Sequence, residues 1–509
     1  MHQLTLVDIE NIAINKQAFV IDSKTIEKVK KSFAFLEDFS SDKIIYGINT
    51  GFGPMAQFKI DEDKLNQLQY NLIRSHSSGT GHALSPEEAR AVLIARANNF
   101  LQGNSGISYE VIEKINEFLA HDIAPEIFEH GGVGASGDLV QLAHLALNLI
   151  GEGYVYYKGE RQKTAAVFSE LNIQPLNVKL RDGLGLMNGT SCMTGIGALN
   201  IIYAKRLLDW SVATSAIINE IVESFDDSFS EGLNQVKQHK GQEIVAAKMR
   251  SMLADSKLIR SREELFADDT ALQQTTFKKK IQEYYSIRCI PQILGPVADT
   301  LDFAQNILEQ ELNSTNDNPV VREDLGNVFH GGNFHGDYVS LEMDKVKIVA
   351  TRLTMLAERQ LNFLLNSKIN DIFTPFLNAQ TLGFNFGVQG MQFTATSTTA
   401  ECQTLSNPMY VHSISNNNDN QDIVSMGTNS AVIARKVIEN GFQVMAIHAM
   451  AICQAIDLLP TEKQEKLSSK GKEIYRLIRS KAPMINEDVA QFENIKAVTQ
   501  LLRNTKLEL

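Results

Sequence analysis

The sequence predicts a mainly α-helical protein with a long-helix bundle at its core. Three observations carry this. Between Gly197 and Gly232 there is no Gly or Pro, and apolar residues recur at three and four (Ile201, Leu207, Leu208, Val212, Ile217, Ile218, Ile221, Val222). A second stretch without breakers, Gly336 to Pro375, repeats the pattern with Leu341, Val346, Ile348, Leu353, Leu356, Leu361 and Leu364. Strand signals are few. Helices this long bury their apolar stripes against one another.

In chain order, Lys43 to Tyr46 reads as a short strand, and a helix begins near Leu139. Tyr154 to Tyr157 and Glu160 to Gln162 pair as a small hairpin. The two long helical stretches follow. Thr428 to Glu439 and Phe442 to Leu459 read as two further helices, split by Gly441. Gln443, His448, Gln454 and Asp457 make the last a buried helix sooner than a membrane span. A mixed, loop-rich N-terminal domain is expected over 1–195 and a helical bundle with a C-terminal helical extension over 196–509.

Charge and cysteine usage narrow the function. The 509 residues hold 48 Lys+Arg against 60 Asp+Glu, a net charge of -12. An acidic chain without a basic block argues against nucleic acid or an anionic membrane as partner. Cys192, Cys289, Cys402 and Cys453 are far apart, which excludes a C-x-x-C zinc or redox site. No basic-then-apolar pattern opens the sequence, so a cytoplasmic location is expected.

Function concentrates in loops rich in Gly, Asn and Ser. The most informative is Gly134-Ala135-Ser136-Gly137-Asp138. It reads as a turn capping the helix from Leu139, with Ser136 or Asp138 as N-cap. It also reads as an anion cradle, although Ile127 to Asp138 holds no Lys or Arg. A third reading is backbone cyclisation. The Gly137 amide nitrogen attacks the Ala135 carbonyl, and loss of water closes a five-membered ring. Loss of the Ser136 hydroxyl then leaves an exocyclic methylidene. Gly at 137 tolerates the strained dihedrals, and Ser136 supplies the leaving oxygen.

Here the chain resembles the aromatic amino acid ammonia-lyases, the histidine, phenylalanine and tyrosine ammonia-lyases with their related aminomutases. The blocks YGINTGFG, NLIRSHSSG, GGVGASGD, LMNGTS, YYSIRCIPQ, NDNP, GGNFHGD and NQDIVSMG occur in that family's order, from about residue 40 to 450. The resemblance implies a fumarase/aspartase-like helical fold and a homotetramer whose active sites combine loops of more than one subunit. It implies no metal or diffusible cofactor. The electrophile is a methylidene-imidazolone formed autocatalytically from Ala135, Ser136 and Gly137.

The resemblance also implies roles. Tyr46 matches the catalytic tyrosine; a phenol has a pKa near 10 and needs nearby hydrogen bonds or positive charge to act as a base. Arg288 matches the arginine that grips the substrate carboxylate. Tyr285 matches a second active-site tyrosine, with a part in positioning and ring closure. Asn188 matches the asparagine that hydrogen-bonds the ring or the substrate. Gln282, Asn318, Asn333 and Phe334 match other lining positions, and Asp138 supports the loop.

Two positions bear on the substrate, an amino acid. Ser75-His76 is the pair typical of histidine ammonia-lyases, where many tyrosine lyases have His-Leu and phenylalanine lyases Phe-Leu. Gln421 stands where histidine lyases carry Glu and the phenylalanine and tyrosine lyases carry Gln. The wording of the whole chain looks most like bacterial tyrosine ammonia-lyases that share the Ser-His pair. L-tyrosine is therefore the expected substrate, with histidine as the alternative. A phenylalanine lyase or tyrosine 2,3-aminomutase ranks behind these.

Overall fold

Four helices of 23 to 32 residues dominate the computed structural model: Ser191–Ile221, Ile290–Leu312, Asp337–Leu365 and Gly427–Leu458. The structure describes residues 3–267, 273, 275–277 and 280–509. The fold is mainly α, as the periodicity predicts. Two compact units divide the chain. One comprises Met1–Ile202, Ala304–Lys345 and Pro408–Arg435; the other comprises Tyr203–Phe303, Val346–Asn407 and Lys436–Leu509. Each long helix contributes one end to each unit.

In the first unit, Asn200 on Ser191–Ile221 donates to Ala431 O over 2.8 Å, and Ser430 Oγ donates to Asp344 over 2.7 Å. In the second, Trp210 is fully buried and its Nε1 donates to Leu502 O over 3.0 Å. These bonds satisfy polar groups that burial would otherwise penalise.

Gly441 does not split a helix. Gly427–Leu458 runs through it, and a Cβ at 441 would lie 2.6 Å from Leu207 Cδ2. The glycine there permits close approach of two helices in the second unit, and it marks packing where a break was expected. This helix is long and apolar enough to cross a bilayer, yet 83% of its most apolar window is buried in protein. Asp337–Leu365 stops ten residues before the expected limit at Pro375. Asn366 then takes the Lys368 N–H on its side chain, capping the short helix Ser367–Asn370.

Strands are short. The predicted hairpin is present, with Tyr157 opposite Glu160, and Ala124–Pro125 adds a third strand. Lys43 to Tyr46 is not a strand. The Asn49 side chain accepts from Ile45 N over 2.9 Å and donates to Lys43 O over 2.8 Å, so a turn satisfies backbone groups that a neighbouring strand would otherwise take.

Candidate active site

The Ala135-Ser136-Gly137 loop lies in the first unit and is held from three sides. Gly134 O accepts from Gly336 N (3.0 Å) and Ser425 Oγ (2.9 Å), and Val133 O accepts from Met426 N (2.9 Å). Asn188 Nδ2 donates to Ser136 O over 3.0 Å. Gln421 Nε2 donates to Ser136 Oγ over 3.0 Å. Gly137 has φ +72°, and a Cβ there would lie 2.0 Å from Gly189 O, so both the dihedral and the space demand glycine.

Asp138 does not cap the Leu139–Leu149 helix with its side chain. Its fully buried carboxylate instead takes Met193 N (2.9 Å) and the Thr428 hydroxyl, tying the loop to the N-terminal turns of two long helices. Burial pushes its pKa up to about 6, against the opposing pull of those donors.

Tyr46 sits half-buried on the turn that Asn49 builds. Its Oη accepts from Gly53 N over 3.0 Å, and the Phe52 ring meets it edge-on at 6.3 Å. Two neighbours connect this turn to the rest of the site. Gln69, fully buried, donates to Gly47 O (3.2 Å) and accepts from Leu184 N (2.9 Å), on the short helix that ends at Asn188. Gly53 abuts Asn417, whose Nδ2 would lie 3.0 Å from a Cβ at 53, and Asn416 bridges to Gln421. Tyr46, Asn188 and Gln421 thus lie on three adjoining segments. Gln69 was not anticipated from the sequence. Its signal was a polar residue in phase with Leu72 and Ile73 on the buried face of Leu65–His76.

Ser75 and His76 end that same helix. His76 Nδ1 lies 3.0 Å from both Leu72 O and Ser75 Oγ, so the partner of Nδ1 depends on the tautomer of the ring. Ser75 Oγ also donates to Leu72 O, over 3.1 Å. Asn318 N donates to Asn188 Oδ1 over 2.8 Å, and Asn318 Oδ1 accepts from Gly331 N over 2.8 Å. Asn333 Nδ2 donates to Thr315 O over 3.3 Å, while Phe334 is half-buried.

Gln282, Tyr285 and Arg288 belong to the second unit. Tyr285 is 71% exposed, and the Arg288 guanidinium lies 4.8 Å from its ring centroid. Arg288 Nε is buried without a hydrogen-bond partner. Gln282, Arg288 and Cys289 line a cavity of about 290 Å³ in that unit. A larger apolar cavity of about 800 Å³, lined by Phe386, Met391, Phe492 and Ile495, contains none of the predicted site residues. Among the described residues no group of three His, Cys, Asp or Glu is placed to hold a metal.

The family model for aromatic amino acid lyases matches residues 4–480. The chain belongs to the aromatic amino acid lyase family. It is therefore an enzyme, a carbon–nitrogen lyase of the ammonia-lyase group. It is 38% identical to a tyrosine ammonia-lyase from Cupriavidus metallidurans, over 99% of this chain and 96% of that one. It is also 34% identical to a histidine ammonia-lyase from Caldanaerobacter subterraneus, over 100% and 96%. A crystal structure of tyrosine aminomutase from Streptomyces globisporus superposes with a TM-score of 0.94 at 36% identity, covering 99% of this chain and 95% of that chain. Lyases and an aminomutase with different substrates thus share this fold at similar identity.

Proposed function

We propose that this lyase deaminates L-tyrosine to trans-p-coumarate and ammonia, using a methylidene-imidazolone made from Ala135, Ser136 and Gly137. The loop fits that group: position 137 admits only glycine, and Ser136 Oγ already accepts a hydrogen bond from Gln421, the kind of contact that helps a hydroxyl depart. The methylidene supplies an electrophilic carbon for the substrate amine, which turns nitrogen into a leaving group. Asn188 and Gln421 hold the ring's precursor atoms.

Tyr46 is the base that removes the β-proton of the substrate. The Gly53 N–H donates to its oxygen over 3.0 Å and holds the phenol in place. Arg288, on the lining of the cavity it shares with Gln282, grips the substrate carboxylate. Tyr285 and Gln282 stand beside it. A cytoplasmic homotetramer, with active sites completed by loops of more than one subunit, fits the exposed aromatic residues Tyr285, Tyr338, Phe384, Phe386 and Phe393.

The observation that carries the choice of tyrosine is neutral Gln421 beside Ser136. A carboxylate there would pair with an imidazolium or accept from an imidazole N–H, and a carboxamide does so less strongly. His76 can pair with a phenol hydroxyl in either tautomer, accepting from it or donating to it through Nε2. The second reading, histidine to urocanate, rests on the Ser75-His76 pair itself. Intact mass tests the prosthetic group, since its formation removes two waters, about 36 Da. A panel of tyrosine, histidine and phenylalanine, followed by ultraviolet absorbance of the unsaturated acids, tests the substrate. β-Tyrosine among the products would move the assignment to an aminomutase.

A further inference from the structure

We propose that Arg96 is a positioning residue for ring closure, acting on the Ala135-Ser136-Gly137 loop through the Asn188-Gly189 turn. The inference rests on the reading of that loop as the precursor of the methylidene-imidazolone.

Arg96 is a fully buried cation on the Pro86–Leu101 helix, and its hydrogen-bond partners are all neutral. Nη2 donates to Asn188 O over 3.0 Å and to Gly185 O. Nη1 donates to Ser191 Oγ over 3.2 Å and Asn316 Oδ1 over 3.3 Å. One planar fork therefore binds the end of the Asp182–Met187 helix, the turn after it and the start of Ser191–Ile221. Burial lowers its pKa to about 10, which leaves it charged at neutral pH.

Gly189 is the contact between Arg96 and the loop. A Cβ at 189 would lie 2.2 Å from Arg96 Nη1, while a Cβ at 137 would lie 2.0 Å from Gly189 O. The turn thus has the guanidinium against it on one side and Gly137 on the other. Two bonds cross from turn to loop: Asn188 Nδ2 to Ser136 O (3.0 Å), and Asp138 N to Gly189 O (2.8 Å). They fix the peptide planes before and after Gly137. Ser136 O and the Gly137 N–H share one rigid plane. Whatever holds Ser136 O therefore sets the direction of the nitrogen that must attack.

The reaction needs that direction and no other reagent. Gly137 N bonds to the Ala135 carbonyl carbon, whose oxygen leaves as water with the two amide protons of Ser136 and Gly137. The Ser136 Cα hydrogen and hydroxyl leave as the second water. No electrons are gained or lost.

Arg96→Lys separates geometry from charge, because an ammonium keeps the charge but cannot span four acceptors. In the purified full-length protein, intact mass should show a large uncyclised fraction, with ring closure slowed on the order of tenfold or more. The kcat per total chain should fall with that fraction and KM should stay unchanged, while Tm falls with the lost hydrogen bonds. Complete loss of two waters with wild-type kcat would overturn the proposal. If Arg96→Lys does not fold, Asn316→Asp replaces it. A carboxylate at 316 tightens the existing Nη1 contact into an ion pair and shifts the guanidinium whose Nη2 holds Asn188 O, so slow closure supports the proposal and wild-type closure overturns it. Wild-type protein that lacks the mass loss would remove the prosthetic group itself, and with it any role for Arg96 in making it; Ser136→Ala supplies the uncyclised reference.

Discussion

Gln421 Nε2 donates to Ser136 Oγ over 3.0 Å, across 285 positions of sequence. This places a neutral donor on the one oxygen that the proposed ring closure expels. It also connects the residue proposed to bear on substrate choice to the residue proposed to become the electrophile.

Ser136→Ala removes that oxygen. The variant should fold, since only one hydrogen bond of about 1 kcal/mol is lost. It should keep its full mass and lose nearly all turnover. Activity near wild type in purified Ser136→Ala would exclude the methylidene.

Tyr46→Phe deletes a single hydroxyl and leaves the Gly53 N–H without its acceptor. The ring should still form, so the mass loss should match wild type. The kcat should fall by at least about 10²-fold, the contribution of a general base. A change confined to KM would make Tyr46 a binding residue instead.

Asp138 makes stability depend on pH. Its pKa is raised from 3.8 to about 6 by burial, so the folded state holds the proton more tightly than the unfolded state. The stabilisation from protonation is full below about pH 4 and is lost as pH rises through about 6, at up to about 1.4 kcal/mol per pH unit. Asp138→Asn keeps the polar contacts without the charge. Its Tm should vary less between pH 4 and pH 7 than that of wild type; equal slopes would show that Asp138 does not titrate in this window.

Gly195→Ala tests the packing beneath the site. A Cβ at 195 would lie 2.7 Å from Val92 N and 2.8 Å from Ala91 C, which are backbone atoms and cannot rotate away. The Ser191–Ile221 and Pro86–Leu101 helices must part, at roughly 1–3 kcal/mol. A clear fall in Tm is expected, and an unchanged Tm would mean that the two helices separate freely.

The sequence made the long helices legible because their apolar residues repeat at three and four without a breaker. It misplaced features where one residue type serves two purposes. Gly441 reads as a break and is a packing contact. Asn49 builds a turn where Lys43 to Tyr46 looked like a strand. In the site, the residues that stand out in Gly- and Asn-rich loops were legible from the family resemblance. Gln69 and Arg96 were not. Both lie inside helices, and a polar residue there looks like an ordinary helix face until the fold shows which carbonyls it reaches.

Specificity is tested by exchanging the two residues that differ between the substrate readings. If His76 Nε2 accepts the tyrosine hydroxyl, phenylalanine is the poorer substrate, because it leaves a polar partner unsatisfied. His76→Phe removes that partner and fills the space with an apolar ring. The ratio of kcat/KM for phenylalanine over tyrosine should then rise by about 1–3 kcal/mol in transition-state terms. Gln421→Glu supplies the carboxylate that an imidazole prefers, so kcat/KM for histidine should rise on the order of tenfold relative to tyrosine. The alternative treats Ser75-His76 as a true histidine-lyase pair. Wild type would then deaminate histidine faster than tyrosine, and His76→Phe would damage histidine turnover without gaining phenylalanine. Measuring kcat/KM for the three amino acids on wild type and both variants separates the two, and a wild-type preference for histidine would refute the tyrosine assignment while leaving the lyase chemistry intact.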